Sequence, residues 1–142
     1  MTYGMRGAKM PHTTYPHRKS SPVPFLPIDM QISATPWTAQ GLWWYYLYSQ
    51  DKRFLRDRGY PVMREIATFL EDYLRKNEDG TYEIWPTFCP EHWSFENGFP
   101  RNRNCIVDLS PIKYLMKACI RASEILDCDA DRRPLMAHHR RE

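Results

Sequence analysis

Val62, Ile66, Phe69, Leu70 and Tyr73 recur at helical spacing, while Arg64, Glu65, Glu71 and Arg75 fall mostly on the opposite side. An amphipathic helix near residues 61–76 is therefore expected, and it has to bury one face against other helices. Pro61, following Gly59, is well placed to open it, and "NEDG" closes it. Two more stretches carry the same period. In "TPWTAQGLWWYYLYSQD", Thr35 suits an N-cap and Pro36 the first helical position, which predicts a helix near 36–50. Trp37, Gln40, Trp43, Trp44, Leu47 and Tyr48 follow helical spacing there. Ser110 and Pro111 signal a helix near 110–126 with an inner stripe of Ile112, Leu115, Met116, Cys119, Ile120, Ser123 and Leu126. A last helix near 129–138 is interrupted by Pro134. "TYEIW" (Thr81 to Trp85) alternates as a short strand would. The expected fold class is mainly α, with at most one short strand pair.

Long irregular segments separate these helices. Residues 1–35 hold five prolines (Pro11, Pro16, Pro22, Pro24, Pro27), and they read as an extended segment ahead of a helical domain spanning 36–142. A second irregular stretch, "PTFCPEHWSFENG" from Pro86 to Gly98, sets acids beside aromatic rings. Loops carry chemistry more often than cores do. Helical hairpins with chemistry in long loops at one end suggest part of an α/α toroid.

Charge and cysteine usage narrow the function classes. The net charge is only +3 and basic residues are spread along the chain, whereas nucleic-acid binders usually carry a basic stripe. No apolar run approaches the length of a membrane span, and no signal-peptide pattern opens the chain. Yet "MTYGMRGAKM" does not read as a domain beginning, so the compartment stays open, with a secreted or periplasmic parent as one expectation. Cys89, Cys105, Cys119 and Cys128 match no common zinc spacing, and neither a metal nor a cofactor is expected. A Cys89–Cys105 bridge would need an oxidising compartment. Aromatic residues make up 14% of the chain, a share that suits ligand grooves and interfaces as well as cores.

The segment "GLWWYYLYSQDKRFLRDRGYPVMREIATFLEDYL" resembles the helical-hairpin segment of glycoside hydrolases with (α/α)6 barrels. It is most similar to the family 95 α-L-fucosidases, where H-L-W-x-H-Y-L-x-T-x-D-x-x-F-L leads into YP-x-M-x-x-x-A-x-F. "PTFCPEHW" resembles that family's P-S-x-S-P-E-N loop. "IVDLSPIKYLMKACIRASEILDCD" resembles its T-x-D-x-x-x-I-x-x-L-F helix ending in A-A-E-I-L-G-x-D. The likeness covers about residues 35–133. It implies a glycosidase, inverting if it follows the family, with a carbohydrate as partner. Glu91 falls on the Pro-Glu position expected to supply the general acid. His92, Trp93, Asn97, Asp108, Trp37 and Trp43 are the implied substrate contacts. His92 stands where the family has Asn, and "MPHTTYPHR" lacks both asparagines of the family's His-x-Asn-x-Asp motif. The family's aspartate base lies beyond Glu142, so about a third of a twelve-helix barrel is expected here.

Breaking a glycosidic bond needs a protonated carboxyl group against the leaving oxygen and a second carboxylate that activates water or attacks directly. Desolvation by neighbouring rings raises a carboxyl pKa into the useful range. Glu91 lies between Phe88, Trp93 and Phe95 in sequence, and Glu96 is the rival acid. For His12 and His17 a solvated loop is the favoured expectation, with a place lining the same mouth as the alternative. Two alternatives stand beside the enzyme: a non-catalytic carbohydrate-binding relative, and a helical-hairpin interaction scaffold. A chain carrying only some of the hairpins is expected to self-associate through an uncovered apolar face.

Overall fold

A computed structural model describes residues 4–11, 31–88 and 102–134. Its elements are α1 (Ala34–Ser49), α2 (Lys52–Phe54), a π turn (Leu55–Gly59), α3 (Tyr60–Tyr73), β1 (Arg75–Lys76), β2 (Tyr82–Glu83), α4 (Ile106–Leu126) and a 3-10 turn (Ala130–Arg132). The fold is mainly α with one two-stranded ribbon. Three helices, α1, α3 and α4, pack on one another. Between them lie Trp43 and Tyr46 from α1, Met63, Ile66 and Leu70 from α3, and Leu115, Met116 and Cys119 from α4. Each such side chain contributes about 1.5–3 kcal/mol on leaving water. Burial pushes the Cys119 thiol up to about 12, so it behaves as an inert core group.

The first helix differs from its sequence pattern in two ways. Thr35 lies inside the helix rather than capping it, and its hydroxyl holds the N-terminal arm. It accepts from the Met10 N–H at 3.2 Å and lies 3.3 Å from the Met10 carbonyl. The buried face is Thr35, Pro36, Ala39, Trp43 and Tyr46, whereas Trp37, Trp44, Leu47 and Tyr48 face outward. A helix that is apolar on both sides offers no period with which to choose its inner face. Gln50 ends it in the left-handed region, at φ 54. Asp51 then caps α2 by accepting from the N–H groups of Arg53 and Phe54.

The π turn leads straight into α3, with the Tyr60 N–H reaching the Leu55 carbonyl five residues back. Pro61 follows without a donor of its own, and the wider turn accommodates it. Residues 4–11 lie along α3. Arg6 grips Asp72 at 2.6 Å, and the Ala8 N–H donates to the Glu65 carbonyl. Gly7 makes that approach feasible: at φ +73, a Cβ there would lie 2.2 Å from the Glu65 oxygen.

After α3 the ribbon pairs Arg75 with Glu83 and Lys76 with Tyr82 in antiparallel register. The last helix starts at Ile106, a turn before the Ser110–Pro111 signal. The Asp108 and Leu109 N–H groups both donate to the Cys105 carbonyl, which winds that extra turn, and Pro111 lies inside the helix. In place of a helix starting at Asp129, that residue takes the left-handed conformation and a 3-10 turn follows. Arg132 is drawn onto α3 by Thr68 and Glu71, and Arg133 onto α4 by Ser123. Residues 135–138 of the expected helix lie outside the described residues.

Candidate functional site

The N-terminal end of α4 gathers the feet of both long segments. Asp108, in the first turn of α4, is 0% exposed and accepts from the Thr87 hydroxyl at 2.6 Å. The Ser33 N–H, just ahead of α1, also acts on this carboxyl and favours its charged form. The Ser33 hydroxyl accepts in turn from the Gln31 amide at 3.0 Å. On the other side, the Thr87 N–H donates to the buried Asn102 at its carbonyl, 2.9 Å away. Three residues before Thr87 and two after Asn102, Ile84 and Asn104 exchange bonds. The Asn104 N–H donates to the Ile84 carbonyl at 3.0 Å, and the Asn104 side chain accepts from the Ile84 N–H at 2.9 Å. Asn104 is left-handed at φ 52, a conformation its short polar side chain tolerates. Gln31, Thr87 and Asn102 therefore flank segments 12–30 and 89–101 while belonging to one hydrogen-bonded cluster around Asp108.

That cluster is rich in unused acceptors. Gln31 Oε1, Asn102 Oδ1 and Asp108 Oδ1 are buried with no hydrogen-bond partner among the described residues. Burial pushes the Asp108 carboxyl up to about 6, opposed by the bonds from Thr87 and Ser33. The folded chain therefore binds a proton at Asp108 that the unfolded chain releases near 3.8. Its contribution is fully present below that value and is lost as pH rises from about 4 to about 6. The loss amounts to about 3 kcal/mol. Melting curves of the wild type and of Asp108→Asn are expected to converge toward pH 4 and separate up to pH 6, with the wild type losing more. Parallel curves would exclude a raised carboxyl at this position.

The residues singled out by sequence are placed unevenly. Asp108 is in the cluster. Trp43 is 7% exposed, packed in the core with its ring centroid 5.4 Å from that of Tyr46. Trp37, 60% exposed, lies on another face of α1. The structure does not bring the two tryptophans together. Glu91, His92, Trp93, Glu96, Asn97, Cys89, His12 and His17 lie outside the described residues. Thr87, Asn102, Ser33 and Gln31 were not singled out by sequence. Thr87 does stand in "PTFCPEHW", four residues before Glu91, which is the one local sign of its place.

Beside the cluster, Trp85 has the Arg75 guanidinium 4.7 Å and the Arg103 guanidinium 5.6 Å from its ring centroid. Arg103 also pairs with Glu83 at 3.0 Å. The Tyr73 hydroxyl donates to the Pro86 carbonyl, tying α3 to the same foot. A separate cavity of about 260 Å3 lies among Arg56, Tyr60, Pro61, Arg64, Leu126, Cys128 and Asp129. At 1.5 Å per residue along α4, its Leu126 rim is about 27 Å from Asp108. Within it the Tyr60 hydroxyl donates to Asp129, and burial together with that carboxylate raises the Tyr60 pKa. Among the described residues no three His, Cys, Asp or Glu side chains gather as a metal site would require. No described helix is long and apolar enough to cross a membrane.

Several known proteins are similar to this chain. α-L-Fucosidase 2 of Arabidopsis thaliana is 34% identical over 93 residues, covering 63% of this chain and 11% of the relative. A kojibiose hydrolase of Flavobacterium johnsoniae is 30% identical over 93 residues, covering 65% of the chain and 14% of the relative. A probable α-fucosidase A of Aspergillus niger is 37% identical over 59 residues, covering 39% and 7%. The chain thus spans a small fraction of the length of these relatives. The family described as the glycosyl hydrolase family 95 catalytic domain matches residues 1–142. The chain belongs to the glycosyl hydrolase family 95 catalytic-domain family.

Proposed function

We propose that this chain is one segment of a glycoside hydrolase catalytic domain that cleaves α-L-fucosides, with Glu91 as the general acid. The observation that carries this is the family match along the whole chain, together with Glu91 standing in "CPEHW" on the family's Pro-Glu position. The packed helices would form part of an α/α toroid, and the base that activates water would come from outside residues 1–142. Segment 89–101 would bring Glu91, His92, Trp93 and Asn97 to the sugar, with the carboxyl group as proton donor and the indole as a platform for a sugar face. Asp108 lies at the base of that segment.

The substrate separates two members of the reaction class, since the relatives include both fucosidases and kojibiose hydrolases. The intact catalytic domain, given an aryl α-L-fucoside, a fucosylated oligosaccharide and kojibiose, is expected to release fucose and to leave kojibiose untouched. Release of glucose instead would move the substrate to the glucoside. Failure on all three would remove the fucosidase assignment. The missing asparagine pair in "MPHTTYPHR" favours a second reading, a carbohydrate-binding relative without turnover. Saturable sugar binding without hydrolysis would select it.

A further inference from the structure

We propose that the cavity at the C-terminal end of α4 is a binding site for a small oxyanion, either free or carried on a single sugar-sized ring. The cavity, about 260 Å3, lies where the π turn, the start of α3 and the turn after α4 meet. Its charges are unequal. Arg56 and Arg64 bring two guanidinium groups, and Asp129 brings the one carboxylate of the lining. Arg133 adds a third cation behind the wall, where its guanidinium donates to the Cys128 carbonyl at 3.3 Å. Pro61 and Leu126 supply apolar surface on the remaining sides.

The two lining arginines are held differently. Arg64 Nη1 is 3.5 Å from Asp129 Oδ2, and Arg64 Nη2 is 3.8 Å from the exposed Glu65 carboxylate. The Tyr60 hydroxyl donates to the same Asp129 oxygen at 2.9 Å. Asp129 thus divides one oxygen between a phenol and a guanidinium, and its hold on Arg64 is longer than a charge-assisted hydrogen bond normally is. Arg56, on the π turn, is exposed and pairs with no carboxylate among the described residues. One unmatched guanidinium and one loosely held guanidinium therefore border the same space.

A guanidinium presents its N–H groups in a planar fork that fits the oxygens of a carboxylate, sulfate or phosphate. An anion between Arg56 and Arg64 would neutralise the excess charge, which a neutral sugar would leave unmatched. The volume limits the rest of the ligand. It falls below the roughly 300–1,000 Å3 of pockets for drug-sized molecules, so inorganic phosphate or one acidic sugar such as glucuronate suits it. Solvent screens these partly exposed charges, so a Kd on the order of 1 mM is expected.

The test uses the intact catalytic domain and the Cys128 thiol, which lines the cavity and is half-buried. Alkylation of Cys128 by N-ethylmaleimide is followed by peptide mass mapping, with D-glucuronate, inorganic phosphate or D-glucose present. At about 10 mM, glucuronate or phosphate is expected to slow alkylation about 10-fold, whereas glucose should change it less than about 2-fold. Arg56→Gln and Arg64→Gln should each raise the half-effect concentration at least about 5-fold. Arg58→Gln should leave it within about 2-fold, because Arg58 is exposed on the same turn but does not line the cavity. Raising salt from about 50 to about 500 mM should weaken the protection. Calorimetric titration with the same probes repeats the comparison without relying on the thiol.

Protection by phosphate alone would identify a free oxyanion as the ligand, and protection by glucuronate alone an acidic sugar; either upholds the site. No binding of either anion would overturn it. Equal protection by glucose would overturn the anion assignment. An equal loss in Arg58→Gln would reduce the effect to general surface charge and overturn it too, as would full protection in both Arg56→Gln and Arg64→Gln. Arg56→Gln alters an exposed side chain and should melt as the wild type does, so it decides the matter even if Arg64→Gln fails to fold. Hydrolysis is not read in these measurements, so their outcome is independent of which glycoside the domain cleaves.

Discussion

Replacing Glu91 with Gln in the intact catalytic domain is expected to lower turnover of an oligosaccharide by about 100- to 10,000-fold while leaving the melting temperature near that of the wild type. General acid catalysis contributes about that factor when the leaving group is a poor one. The amide keeps the size of the carboxyl but has no proton to give. The size of the loss should therefore depend on the leaving group. An aryl fucoside whose phenol carries electron-withdrawing groups departs without protonation, so the variant should lose far less on it than on an oligosaccharide. A variant lacking the base would be slow on both substrates. The acidic limb of the rate profile offers a second check. It should persist in Glu91→Gln, because it reports the remaining carboxylate, while the alkaline limb set by the acid should vanish. Near-normal turnover of the oligosaccharide would remove Glu91 from the role and bring Glu96 forward.

Parts of this molecule could be read from sequence and parts could not, for identifiable reasons. The inner faces of α3 and α4 were legible because charged residues alternate with apolar ones at helical spacing. Ile66, Phe69, Leu70 and Tyr73 are buried as expected, as are Ile112, Leu115, Met116, Cys119 and Ser123. The inner face of α1 was not, because Trp37, Trp43, Trp44, Tyr46 and Tyr48 surround the helix with apolar rings. The start of α4 was misread because Ser110–Pro111 is a strong local signal. Cys105, the residue before the helix, makes no side-chain cap and leaves no mark in the sequence. Asp108 shows the limit most clearly. An aspartate in the first turn of a helix reads as a solvated charge favoured by the helix dipole. Its burial depends on Thr87, 21 residues earlier, and on Ser33, still further back. Contacts of that range leave no periodic trace.

The isolated 142-residue chain is expected to self-associate, and α1 shows where. Trp37, Trp44 and Tyr48 stand at i, i+7 and i+11, within one narrow stripe of the helix, flanked by Tyr45 and Leu47. All five are exposed, Tyr48 to 92%. At about 100 Å2 apiece they present about 500 Å2 of largely apolar surface, near the upper end for a soluble monomer. Two copies meeting through this stripe would bury about 1,000 Å2 in total, the low end for a specific interface. Affinity in the range of about 1–100 μM is then expected, with sedimentation showing a concentration-dependent average mass. In the intact domain the same stripe is expected to be covered by further helices, so that protein should stay monomeric under the same conditions. Trp37→Glu combined with Tyr48→Glu should return the isolated chain to a monomer, because paired carboxylates facing each other across the contact repel. Trp44 is left unchanged in that variant, since its indole N–H donates to the Tyr114 hydroxyl at 2.8 Å and supports the packing of α1 on α4. A sharp cooperative melt from a monomer at about millimolar concentration would sink this expectation. The stripe would then be an ordinary surface of a self-sufficient helical scaffold, and the case for a missing set of neighbouring helices would go with it.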